Sequence, residues 1–235
     1  MPAIIECPSP NFDARPVGQA IDMLILHYTG MKSAQDALAR MCDQTAKVSA
    51  HYCIDEDGTL MRLVPEERRA WHAGESAWAG AGKVNARSVG IELVNPGHEF
   101  GYRAFPEAQM EILVKLARGI LARHPIPACH VLGHSDVAPL RKEDPGELFD
   151  WARLAAAGIG LWPGEPAPGP VPDEAGLKQG LAAFGYGYLD KDLRAVVAAF
   201  QRHFRPAGVT GDADAETTAR LTALLAMLDG NTRKT

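Results

Sequence analysis

The chain has 235 residues, of which 46% are hydrophobic and 23% charged, and a net charge of −5 at neutral pH. That length holds one large or two small domains with a buried core. The acidic balance argues against a broad electrostatic footprint for nucleic acid, and no apolar run reaches the length of a membrane span.

The first residues, "MPAIIECPSPNFDARP", lack a basic stretch followed by an apolar one and do not read as a signal peptide. This points to the cytoplasm, with the periplasm or cell envelope as the alternative. Cys7, Cys42, Cys53 and Cys129 are scattered with no CxxC pair and read as free thiols.

In chain order, "IDMLILHY" (Ile21–Tyr28) is a nearly continuous apolar run, as expected for a strand covered on both faces. A short helix is expected over Ala34–Asp43. "SAHYCID" and "LMRLV" flank "EDG", which predicts a hairpin with Gly58 in its turn. "SVGIELVN" (Ser88–Asn95) is a further apolar strand. Pro106–His124 opens with Pro and Glu and repeats its apolar residues every three or four positions, the pattern of an amphipathic helix.

A short apolar run over Ala128–Leu132 leads into "GHSDVAPLRKEDPG" (Gly133–Gly146), a loop dense in ionisable groups, and a helix is expected over Glu147–Ala157. Trp162–Glu174, "WPGEPAPGPVPDE", reads as a semi-rigid linker. Helical patterns follow over Glu174–Phe184, Lys191–Phe204 and Asp214–Leu228. The expected fold is α/β, a mixed central sheet flanked by helices, followed by a small three-helix bundle. The expected division is 1–161, a linker over 162–174, and 175–235. Nothing in the sequence requires more than a monomer.

The ionisable residues leave alternatives open. His27 ends an apolar strand, where an imidazole is either a hydrogen-bonded core group or a member of a site at the sheet's rim. His134 also follows an apolar run. His51 and His72 can be ligands or structural groups. Glu92 interrupts "VGIELV", and a carboxylate in a buried strand is costly unless it is paired or acts in chemistry. A raised pKa would suit a general base; pairing with Arg87 or Arg62 is the other reading. In "DPGE", Asp144 is placed either to cap a helix or to join a metal site. Two imidazoles and a carboxylate suit a catalytic Zn²⁺, and Lys142 could bring positive charge to a developing oxyanion.

Six segments occur together in the order "PSPNFDARP", "ILHYT", "VSAHYCIDEDGTL", "LVPEERRAWHAG", "SVGIELVN" and "GHSDVAPLRKEDPGELFDW". From Pro8 to Trp151 the chain resembles the zinc-dependent N-acetylmuramoyl-L-alanine amidases of the amidase-2 family, in its AmpD/AmiD branch. The resemblance implies a mixed sheet flanked by helices and one zinc ion per chain held by His27, His134 and Asp144. It also implies Glu92 as general base and Lys142 as transition-state cation. An Asp as third ligand looks like the bacterial branch rather than the Cys-bearing phage and animal recognition proteins. Tyr28 resembles the AmiD side. Arginines of the AmpD substrate site are matched by Arg141 and, as lysines, by Lys47 and Lys83, while His72 would line the cleft.

The implied reaction is hydrolysis of the amide between N-acetylmuramic acid, or its 1,6-anhydro form, and L-alanine of the stem peptide. The implied partners are peptidoglycan or muropeptides. A non-catalytic recognition protein and a zinc peptidase acting on the stem peptide are the alternatives. "AVVAAFQRHFRPAGVTGDADAETTARL" (Ala195–Leu221) is similar to a three-helix peptidoglycan-binding domain, against the alternative of a bundle with no ligand of its own.

Overall fold

A computed structural model describes residues 3–232. Strands β1 (Ile4–Glu6) and β2 (Phe12–Ala14) lead into β3 (Met23–Tyr28), helix α1 (Ala34–Cys42) and the hairpin of β4 (Tyr52–Ile54) and β5 (Leu60–Arg62). β6 (Arg68–Ala70), β7 (Ala77–Trp78), β8 (Ala81–Gly82) and the one-turn α2 (Val84–Arg87) precede β9 (Ser88–Leu93). Then come α3 (Gly97–Phe100), α4 (Glu107–Arg123), β10 (Val131–Gly133), α5 (His134–Val137) and α6 (Trp151–Ala156). No helix or strand covers 162–173, and α7 (Glu174–Phe184), α8 (Leu193–Phe204) and α9 (Ala215–Thr232) follow.

The central sheet has six strands in the order β1-β5-β4-β9-β3-β10. β4, β9, β3 and β10 run parallel to one another, while β5 pairs antiparallel with β4. Side-chain alternation then sorts each strand into two layers. Leu24, Leu26, Val89, Ile91, Leu93 and Val131 face a layer built with Leu113, Leu116 and Ile120 of α4 and with Trp151 and Leu154 of α6. Met23, Ile25 and Leu132 face the opposite layer, where Trp78 and Val137 meet Leu181, Phe184, Phe200 and Phe204 of the C-terminal helices. Both faces of β3 are therefore covered, as its unbroken apolar run predicts. The same alternation turns His27, Gly90 and Glu92 toward the second face. In the parallel register His27 lies beside Glu92, and Gly133 beside Leu26, so the carboxyl ends of β9, β3 and β10 meet at one rim.

The expected helix over Glu147–Ala157 starts later, at Trp151. Its N-cap is Asp150, whose carboxylate accepts from Arg153 N–H at 2.9 Å. Asp144 caps no helix: its carboxylate is turned into the protein, toward two imidazoles. The cap reading fails because the residues after Pro145 form turns, and the helix waits for the next available carboxylate.

The C-terminal helices do not hang free of the sheet. Asp136, fully buried on α5, accepts from Gly133 N–H at 2.7 Å, from the Tyr186 hydroxyl at 2.5 Å and from His203 Nδ1 at 2.7 Å. Tyr186 lies between α7 and α8, and His203 lies on α8 with its ring between Trp151 and Phe204. Arg202, next to it, reaches Glu143 at 2.7 Å. The segment between the two parts is tied as well, because Arg220 of α9 donates to Gly164 O and covers the Trp162 ring. Asp136→Ala leaves three buried donors without an acceptor, each costing about 1–3 kcal/mol. Denaturant unfolding of this variant should show a loss of about 3 kcal/mol or more.

Candidate metal centre

At the shared rim, three groups from distant parts of the chain converge. His27 is near the end of β3, His134 opens α5 directly after β10, and Asp144 lies in the loop that follows. The loop is held by Ser135 N–H, which donates to Asp144 O at 2.9 Å. His27 Nδ1 is 3.0 Å from His134 Nδ1, and each is 3.0 Å from Asp144 Oδ2. All three residues are buried. Among the described residues, they are the group of His, Cys, Asp or Glu side chains whose donor atoms lie close enough to share an ion.

The far side of each ring tells what the near side offers. His134 Nε2 is 3.1 Å from the carbonyl of Ala73, which can only accept, and 3.4 Å from Arg141 Nη2, which can only donate; the shorter contact assigns the proton to Nε2 and leaves Nδ1 bare. Burial, with His134 alongside, lowers the pKa of His27 to about 4 against the pull of Asp144, so its ring is neutral. Asp144 is buried beside the two rings, and its Oδ2 is the third donor. Three lone-pair donors thus point at one another. Donors on a tetrahedral ion with bonds of about 2.0–2.1 Å sit roughly 3.3 Å apart, close to the spacing seen here. Two imidazoles and one carboxylate leave a fourth position for water or substrate, so the donor set fits a catalytic zinc site.

Glu92 stands beside His27 across the sheet. Its Oε2 is sealed from solvent without a hydrogen-bond partner. Burial, reinforced by Asp144 and opposed by Lys142, pushes its carboxyl well above the ordinary value. The alternative pairing is excluded, because Arg87 binds Asp22 and Arg62 binds Glu6. Lys142 is half-buried, and its ammonium makes no hydrogen bond or ion pair among the described residues.

These groups line a cleft of about 630 Å³ with Tyr28, His72 and Arg141. The Tyr28 hydroxyl is hydrogen-bonded to His98 Nδ1 at 2.9 Å. Arg141 commits Nε and Nη2 to the carbonyls of Ala73 and Glu75. Lys47 and Lys83 are exposed and are not among the lining residues, although Val48 is. Sequence reasoning missed Arg40, which lines the cleft from α1; an exposed Arg on an amphipathic helix carries no signal of its own. His51 faces away from the centre, with Nδ1 accepting from Gly90 N–H at 2.9 Å and Nε2 against Arg68 O. His72 packs behind His27, and the signal for this was Gly90, a glycine inside a strand: a Cβ there would meet the His72 ring at 2.5 Å.

A carboxyl whose folded pKa is raised supports folding below its unfolded value, near 4.5, and loses that support as pH rises toward the folded value. Glu92→Gln carries no such loss. In metal-free protein, the melting temperature of Glu92→Gln relative to wild type should therefore climb with pH above that point. A difference that stays flat with pH would show Glu92 to be in ordinary contact with water.

Comparison with known proteins agrees with this arrangement. The family described as N-acetylmuramoyl-L-alanine amidase matches residues 17–147, and a peptidoglycan-binding-domain family matches 175–221. The chain is 39% identical to the N-acetylmuramoyl-L-alanine amidase AmiD of Escherichia coli K12, over 94% of this chain and 90% of that protein. A solved complex of E. coli AmiD with anhydro-N-acetylmuramic acid-L-Ala-D-γ-Glu-L-Lys superposes with a TM-score of 0.79 at 39% identity, covering 91% of each chain. AmpDh3 of Pseudomonas aeruginosa, solved with an anhydromuramic pentapeptide, gives 0.80 at 32% identity, covering 91% of this chain and 95% of that one. This chain belongs to the N-acetylmuramoyl-L-alanine amidase family.

Proposed function

We propose that the protein hydrolyses the amide joining the lactyl group of N-acetylmuramic acid, or its 1,6-anhydro form, to L-alanine of the stem peptide. The observation that carries the reading is the convergence of three lone-pair donors beside a half-buried, unpartnered carboxyl and an unpaired ammonium. The residues that would hold zinc are His27 and His134 through Nδ1 and Asp144 through Oδ2. Zinc supplies Lewis acidity that activates water near neutral pH.

The protein's own groups do the rest. Glu92 takes the proton of the attacking water and returns it to the amine of L-alanine as the C–N bond breaks. A carboxyl that borders the cleft, has one oxygen sealed from solvent and has a raised pKa is suited to both transfers. Lys142 donates to the oxygen that gains charge in the tetrahedral adduct. Tyr28, Arg40 and Arg141 border the space that the sugar and the anionic stem peptide would fill. We read 1–161 as the catalytic domain, 162–174 as the linker and 175–235 as a peptidoglycan-binding part. Supporting the last reading, the matched 175–221 packs on the same sheet face that holds the site.

Incubation with an anhydro-muropeptide and with polymeric peptidoglycan, followed by mass spectrometry, should release peptides beginning with L-alanine and leave unsubstituted sugar. Cleavage inside the peptide would instead make the protein a peptidase, and no cleavage a recognition protein. Glu92→Gln should keep its zinc and lose on the order of 10²–10⁴ in rate. Lys142→Ala should lose on the order of 10²–10³.

A further inference from the structure

The proton on His27 can be traced through a chain of hydrogen bonds that begins away from the cleft. The carbonyl of Val84, on α2, can only accept, and the Ser88 hydroxyl donates to it at 2.7 Å. That hydroxyl has one hydrogen, so toward His72 Nε2, at 3.1 Å, its oxygen accepts and the ring nitrogen donates. A neutral imidazole with its proton on Nε2 has a bare Nδ1. His72 is buried, and its ring nitrogens meet a hydroxyl and an imidazole with no carboxylate in hydrogen-bond reach, so nothing there favours a second proton. The bare His72 Nδ1 is 3.0 Å from His27 Nε2, which therefore donates. His27 is left with a bare Nδ1, the atom that faces His134 and Asp144.

We propose that Ser88 and His72 are positioning residues that set the tautomer and ring angle of His27, so that Nδ1 is free for a metal ion. The inference rests on the metal reading above and extends it outward by two residues. Rings that bind metal usually donate their second N–H to a carboxylate, a carbonyl or water. Here a neutral imidazole stands in between and passes on the direction set by a backbone carbonyl, adding no charge next to the site.

The surroundings are built for this. Asn85 Oδ1 accepts from the backbone N–H groups of His72 and Ala73 at 3.1 and 2.7 Å, pinning that loop to α2. Gly90 leaves the space in which the His72 ring lies against β9. Ala73, the next residue, turns its carbonyl to His134 Nε2. One dipeptide, His72–Ala73, thus orients both imidazoles, by a side chain on one and a carbonyl on the other.

The test measures zinc affinity of the full chain by competition with a chromogenic chelator, with circular dichroism confirming the fold. His72→Leu removes the acceptor and should weaken zinc binding about 10–100-fold. His72→Asn, whose Oδ1 can still accept from His27, should recover much of the loss, which a purely space-filling role would not. Ser88→Ala frees the His72 tautomer and should weaken binding by a smaller factor. Nitrogen-15 spectra of the imidazoles should place the His72 proton on Nε2 in wild type, and this readout decides the matter even where His72→Leu does not fold. Wild-type protein that binds no stoichiometric zinc would bring down the metal reading and this inference with it. Wild type that binds zinc, with a folded His72→Leu of unchanged affinity or a His72 proton on Nδ1, would overturn the relay alone.

Discussion

Three lone pairs aimed at one buried point are the constraint on which this structure turns. His27 Nδ1, His134 Nδ1 and Asp144 Oδ2 approach to 3.0 Å although two of them are bare nitrogens and the third is an anionic oxygen. Such an arrangement is unfavourable without a cation between the donors. It persists because each donor is fixed from behind: His134 by Ala73 O, His27 by His72, and Asp144 through the backbone bond of its carbonyl to Ser135. The cost is carried by the β3–β9–β10 core, whose apolar layers hold the strand ends in place.

The parallel register explains why Glu92 and the three converging donors come from different segments yet stand together. Parallel strands end on the same side, and sites in such sheets form where the carboxyl ends meet. His27 and Glu92 are neighbours because β3 and β9 pair in that register, and His134 joins because β10 flanks β3 on the other side. The antiparallel hairpin β4–β5 lies beyond β9 and widens the sheet without adding to the donor set.

The C-terminal helices take part in the scaffold of the site. Asp136 is two residues after His134 and holds Tyr186 and His203, while Arg202 grips Glu143 next to Asp144. α8 therefore braces the loop that carries Asp144 from both ends. In this arrangement the C-terminal helices hold a set position beside the cleft instead of trailing on a tether.

Periodicity and local chemistry carried much of this in the sequence itself. The apolar runs of β3 and β9, the hairpin at Gly58, the long helix α4 and the three C-terminal helices all follow from local patterns that need no partner to be read. His27, Glu92 and His134 stood out because imidazole or carboxyl groups interrupt or border those runs, while Lys142 and Asp144 gained their expected roles from the family resemblance. What local pattern could not settle was decided by packing. Asp144 turned inward rather than capping a helix, Glu92 was left unpaired because Arg87 and Arg62 have other carboxylates, and Lys47 and Lys83 fell outside the cleft lining while Arg40 entered it. Sequence determines which residues can alternate, cap or ionise, since those are short-range properties of the chain. Which lone pair meets which is a matter of strand register and of what presses on the far side of each ring, and only the folded chain fixes those.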